Sequence, residues 1–210
     1  MKILGVLLVI ASVTGSACPA AAATIDFGTP SGNRGTSQSY TSGGLTVVAS
    51  GFDASNGATA LFGKNAGAGE VGLGLANDPS GQNEIYFGKG YVQLDFSALL
   101  GKVSNVSFFT NSTTQGEQWS IFGSNSSGSY SGAALLSGTN ELSANLPGLG
   151  NWKFYDFVST SQSGGQNFLI GGLTMTAVPE PATWATMLFG FGLMGAGLRR
   201  RRPSQALSAA

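Results

Sequence analysis

No histidine occurs in the 210 residues, which excludes imidazole general-base catalysis, Ser-His or Cys-His nucleophile activation and His-ligated zinc. Catalysis would have to rest on carboxylates, lysines, tyrosines or a Ser-Lys pair. The carboxylates with the best claim are Asp95 with Glu84 or Glu117, which in principle could supply the acid and nucleophile of a glycosidase. Each falls on an expected strand among polar neighbours and reads equally well as a solvated outer-face residue, so no catalytic residue is assigned. Residues 77–84 offer oxygen ligands, but their spacing fits no calcium loop, and Asp78-Pro79-Ser80-Gly81 reads as a type I turn. No metal and no cofactor is expected.

Two matches to G-x-G-x-x-G, at residues 67–72 and 190–195, are coincidences in a chain with 33 glycines. The first lacks the strand and helix that the dinucleotide fingerprint requires, and the second lies within an apolar segment. There Gly192 and Ala196, four apart, form a small-residue surface suited to close helix approach in lipid. Asn105, Asn111 and Asn125 begin N-glycosylation patterns that read as coincidence. Trp119, Trp152, Tyr86, Tyr91 and Tyr155 are the rings able to stack on sugars, with core packing as the default. Residues 152–157 place aromatics on both faces of a strand, so Trp152 and Tyr155 are the candidate carbohydrate contacts.

The elements that must position these residues are short. Between Thr24 and Ala177 no helical periodicity is sustained, whereas runs of period two recur between Gly-, Ser- and Asn-rich punctuation. Strands are expected at 24–28, 44–50, 84–88, 91–96, 103–110, 118–123, 151–158 and 167–177. The 91–96 run is clearest, with Val92, Leu94 and Phe96 facing inward and Tyr91, Gln93 and Asp95 outward. Residues 29–43, 51–69 and 123–132 read as loops. The pattern predicts an all-β, antiparallel, jelly-roll-like β-sandwich in one body, 24–177. Five basic residues (Arg34, Lys64, Lys89, Lys102, Lys153) face nine acidic ones there, leaving −4, which gives phosphate nothing to bind and excludes nucleic acid as a partner.

Both ends carry targeting patterns. Lys2, the apolar run 3–13 and Ala21-Ala22-Ala23 read as a signal peptide, 1–23, cut after Ala23. The single cysteine, Cys18, leaves with it, so no disulfide framework is expected. At the other end Pro179-Glu180-Pro181 precedes an uncharged apolar segment, 182–198, and the cluster Arg199, Arg200, Arg201 and Arg202, with a tail at 203–210. As a helix the segment spans roughly 25 Å, the lower edge of what crosses a bilayer. Trp184 suits the outer interface, and the arginines hold their end in the cytoplasm.

This order of motif, apolar helix and arginines resembles the PEP-CTERM sorting signal of exported proteins of Gram-negative bacteria, over residues 178–202. The resemblance implies processing by a membrane protease, exosortase, after transient anchoring in the inner membrane, and delivery to the cell surface or beyond. It leaves three readings of the body. The one favoured is a non-catalytic surface or matrix protein associated with exopolysaccharide, as in a biofilm. The others are a carbohydrate-binding module and a secreted carboxylate-dependent hydrolase.

Overall fold

The computed structural model describes residues 22–67, 69–111, 116–162, 167–178 and 181–200. Signal-peptide residues 1–21 with Cys18, the sorting residues Pro179, Glu180, Arg201 and Arg202, and the tail lie outside the described residues. The strands in chain order are β1 (Ala22–Asp26), β2 (Gly32–Asn33), β3 (Ser37–Ser42), β4 (Leu45–Asp53), β5 (Ala58–Thr59), β6 (Leu61–Asn65), β7 (Val71–Leu75) and β8 (Ile85–Tyr86). They continue with β9 (Gly90–Asp95), β10 (Val103–Asn111), β11 (Gln118–Ser124), β12 (Leu136–Thr139), β13 (Ser143–Asn145), β14 (Phe154–Ser159) and β15 (Asn167–Ala177). A 3-10 turn at Ser97–Leu99 and a helix, α1 (Pro181–Arg200), complete the described elements. The sheets belong to one compact unit, Ala20–Val178, and α1 to another.

Every strand pairing is antiparallel. The first sheet has the order β13-β10-β15-β7-β6-β2, with β1 and β8 also on β15; the second has β12-β11-β14-β9-β4-β3, with β5 on β4. The inward rows are apolar and interlock. Leu73, Val106, Phe108 and Leu173 from the first sheet and Val47, Leu94, Ile121 and Phe157 from the second are all 0% exposed. Phe108 meets Trp119 and Phe157 edge-on across the interface, at centroid distances of 5.6 and 5.5 Å. That geometry sets the positive ring edge against a negative face. The expected all-β sandwich is thus present.

Several local expectations are overturned. Two of the three expected loops contain strands: β2 and β3 fall within 29–43, and β5 and β6 within 51–69. β3 escapes notice because its sequence, SQSYTS, buries only Tyr40, on an edge paired to β4. β7 was unmarked because Val-Gly-Leu-Gly-Leu sets glycine on one face, and that face is not solvated. Residues 83–84 lie flat against Gly74, whose missing side chain would otherwise occupy the space of the Asn83 carbonyl. Likewise, Tyr91 and Gln93 face away from the core but are only 2% exposed. Segment 125–132 covers them. The Gly128 amide donates to Gln93 Oε1 at 3.1 Å, and the Tyr130 ring packs edge-on to Tyr91 at 4.9 Å.

Because Gly74 meets backbone rather than a movable side chain, Gly74→Ala is expected to lift residues 83–84 off the sheet. A cost of about 1–3 kcal/mol, the usual range for overpacking, would appear as a lower urea midpoint with an unchanged slope. An unaltered midpoint would show that this segment does not need the bare position.

Candidate functional site

The most developed polar site lies on the outer face of the first sheet, where residues 77–84 and the turn after β6 cover Lys64. Lys64 is 8% exposed and Glu84 2%. Charges so deeply buried are tolerated only when paired. The ammonium donates to Glu70 Oε2, to Glu84 Oε1 at 2.5 Å and to Gln82 Oε1 at 3.3 Å. Burial lowers the Lys64 pKa, but hydrogen bonds and attraction from both glutamates outweigh it and hold the ammonium above its ordinary range. Burial likewise pushes the Glu84 carboxyl up to about 7; Lys64 opposes this and Glu70 adds to it. Asp78 supports the covering turn by accepting from the Ser80 amide at 2.8 Å and the Glu84 amide at 3.1 Å.

An open cavity of about 390 Å³ adjoins this cluster, lined by Ser31, Phe62, Lys64, Asn65, Gln82 and Asn83 among others. A half-buried ring and several amides can receive a small hydroxylated group. Two carboxyls, one titrating near neutrality, are also the raw material of glycoside cleavage. Here, however, an ammonium bonded to both fills the gap that a glycosidic oxygen and its carbon would need. Among the described residues no group of three or more His, Cys, Asp or Glu side chains could hold a metal ion.

A second buried carboxyl lies outside the core on the other sheet. Asp156 is 0% exposed. Its Oδ1 accepts from Gln93 Nε2 at 2.7 Å, while Oδ2 has no partner. Burial raises it to about 7, with Gln93 opposing the shift. Gln93 therefore joins a buried acid to the segment that covers it.

The expected site residues are distributed differently. The carboxyl beside Glu84 is Glu70, not Asp95 or Glu117. Asp95 is half-buried and accepts the Ser97 amide at 2.7 Å, which starts the 3-10 turn. Glu117 is 1% exposed, so the outer-face, solvated reading fails for both glutamates. Tyr155 is 0% exposed, edge-on to Phe96, and its hydroxyl donates to Gly148 O at 2.9 Å. Its register opposite Leu94 and Gly123 puts it on the inward row. It therefore offers no face to a sugar, which corrects its assignment as a contact. Trp152 is half-buried with its ring over Gly123. Lys64 carried only one sequence signal, a lone charge within the run Leu61-Phe62-Gly63-Lys64.

Helix α1 forms where the apolar segment predicts it. Trp184, Leu188, Phe189, Phe191, Leu193 and Met194 are exposed and lie around its whole circumference, and Arg199 is exposed near its end. Even so, among the described residues no helix is long and apolar enough to cross a membrane. Four glycines and two threonines within 182–198 contribute little to transfer, and the segment is short, so the structure does not supply the expected spanning helix.

Residues 177–202 match the family model described as the PEP-CTERM protein-sorting motif. The match marks the chain as an exported protein processed by exosortase and sorted through the membrane to the surface. No curated protein and no solved structure is significantly similar to the chain.

Both buried acids give stability a defined pH dependence. Carboxyls near 4 in the unfolded chain and near 7 in the fold keep protons in the native state that the unfolded state has lost. Their contribution favours folding below about pH 4, falls as pH rises from about 4 to 7, and is flat above that. Thermal melts are expected to give a lower midpoint at pH 8 than at pH 5, and Asp156→Asn to shrink the difference. Lys64→Met, which strips the buried Glu84 carboxyl of its ammonium partner, is expected to cost about 3–5 kcal/mol near neutral pH. A neutral outcome for Lys64→Met would mean that the cluster does not hold the covering turns.

Proposed function

We propose that this chain is a non-catalytic protein of the cell surface or extracellular matrix, associated with exopolysaccharide. A signal peptide directs it through the inner membrane, α1 holds it there transiently, and exosortase releases it. The C-terminal match carries the reading, because motif, apolar helix and arginine cluster stand in the order that sorting requires. An all-round apolar helix favours a lipid setting over a packed protein one, which suits a transient membrane association before release. The body supports a non-catalytic role. Its paired carboxyls are bridged by Lys64, and its loops are rich in Gly and Ser and poor in charge. A carbohydrate-binding module is the nearest alternative and differs only in affinity and selectivity.

β1 bears on the N-terminal cut. Ala22 and Ala23 pair with Thr176 and Met175, and Ala23 is 2% exposed. A cut after Ala23 would remove two of the five residues of β1. A cut after Ala20, with small residues at Cys18 and Ala20 in the recognition positions, keeps the strand whole.

Intact mass of the protein from its native host is expected to show a chain that begins at Ala21 and lacks Arg199–Arg202. Replacing Pro179-Glu180-Pro181 by three alanines should leave it in the inner membrane. Recovery of the complete C-terminus from the wild type would refute sorting by cleavage.

A further inference from the structure

Stacking on a sugar requires a ring with a free face, and the core has taken most of the candidates. Trp119, Tyr91 and Tyr155 are buried. Among the described residues of the body, one exposed large hydrophobic side chain is aromatic: Phe109, at 36%. Its position follows from the register. Phe109 lies on the outer face of β10, opposite Gly172 of β15 on one side and Ser143 of β13 on the other. Gly171 and Gly172 present no side chains, and the ring lies against both, where their Cβ atoms would otherwise be. One face of the phenyl is thus seated on the sheet, and the ring remains open to solvent.

The surrounding surface is rich in hydroxyl and amide groups. One step along the strands, a row crosses the sheet through Asn145, Ser107, Thr174 and Thr24. Thr174, Thr24 and Asn145 are exposed, and Ser107 Oγ donates to Asn145 Oδ1 at 2.7 Å. Asp26, in register with Phe109 and Gly172, is exposed and accepts from the Gly28 amide at 2.8 Å, and the exposed Glu141 lies two residues before Ser143. Neighbouring strands stand about 4.8 Å apart, so hydroxyl and amide groups recur across the row at roughly the spacing of groups on a sugar chain.

We propose that this face, with Phe109 as the stacking ring and the Asn145–Ser107–Thr174–Thr24 row as the hydrogen-bonding strip, binds a neutral polysaccharide laid across β13, β10, β15 and β1. The inference rests on the polysaccharide reading above and locates it. The exposed carboxylates at its edges, Asp26 and Glu141, repel a uronic-acid polymer and so select a neutral chain. Hydroxyls and amides replace the water lost by the sugar, and the ring covers its C–H face. Each contact is weak, so retention grows with the number of copies on one chain.

The test is affinity electrophoresis of the full chain in mild detergent, through gels cast with hydroxyethyl cellulose, glucomannan or, as the anionic control, alginate. Wild type is expected to be retarded by at least one neutral polymer and not by alginate. Phe109→Ala should weaken retardation about fivefold or more, and Phe109→Tyr should retain it. Because removing the ring uncovers Gly171 and Gly172, Thr174→Lys provides a second variant that leaves the ring seated and crowds the row. It too should lose retardation while melting like wild type. Wild-type retardation that survives both substitutions would overturn this site and leave the polysaccharide reading intact. No wild-type retardation by any neutral polymer would overturn both. A wild-type dimer that both substitutions convert to monomer would assign the face to a second copy of the chain instead.

Discussion

Close approach of a ring or a backbone segment to a glycine within a strand is the contact on which this sandwich depends. Trp119 lies over Gly138, Trp152 over Gly123, Phe109 over Gly171 and Gly172, and the Asn83 backbone over Gly74. In each case a Cβ would stand where the neighbour already is. Gly138, Gly123 and Gly74 are not in the left-handed region, so space, rather than conformational freedom, is what glycine supplies there. The inward cases fill the interface with indole. The outward cases give the sheets a second covering on faces that a two-layer sandwich usually leaves wet.

That covering explains the electrostatics. A residue facing away from the core is ordinarily solvated, so Lys64, Glu84 and Asp156 would titrate normally on an uncovered sheet. Overlaid by residues 77–84 and 125–132, they lose water and must find partners. Lys64 finds three acceptors, whereas Asp156 finds one donor. Both carboxyls therefore stay protonated nearer to neutrality than their types suggest. The fold carries acids that resemble catalytic ones, yet their partners are Lys64 and Gln93, strand side chains buried under the same coverings.

The inward pattern was legible in the sequence. Val92, Leu94 and Phe96 alternate cleanly because the core selects apolar groups at period two, and the loop expected at 123–132 declared itself by composition, save that β11 runs on through Ser124. The outer coverings were not legible. Period two says which residues share a face but not what lies on it, so Tyr91 and Gln93 read as outward and Glu84 as solvated. β7 carries no strand signal in the sequence because glycine is the same letter whether it makes a turn or accommodates a neighbour. Tyr155 misled for a related reason: in a strand with rings on both faces, only the register to Leu94 and Gly123 tells which ring is inside. Phe109 was hidden by the same ambiguity, since Phe108 beside it is the core ring. The sorting signal was legible in full as a linear motif, because a protease reads it as sequence.

The function we propose has the body delivered outside the cell to hold, or be held by, a polymer, and the most direct measurement of that claim is made on the native host. The extracellular matrix would be collected, and the chain assayed in it before and after the polysaccharide is depolymerised. The account predicts the C-terminally processed chain in the matrix fraction and its release when the polymer is cut. Finding the chain unprocessed in the inner membrane, or free in the medium and indifferent to depolymerisation, would contradict it.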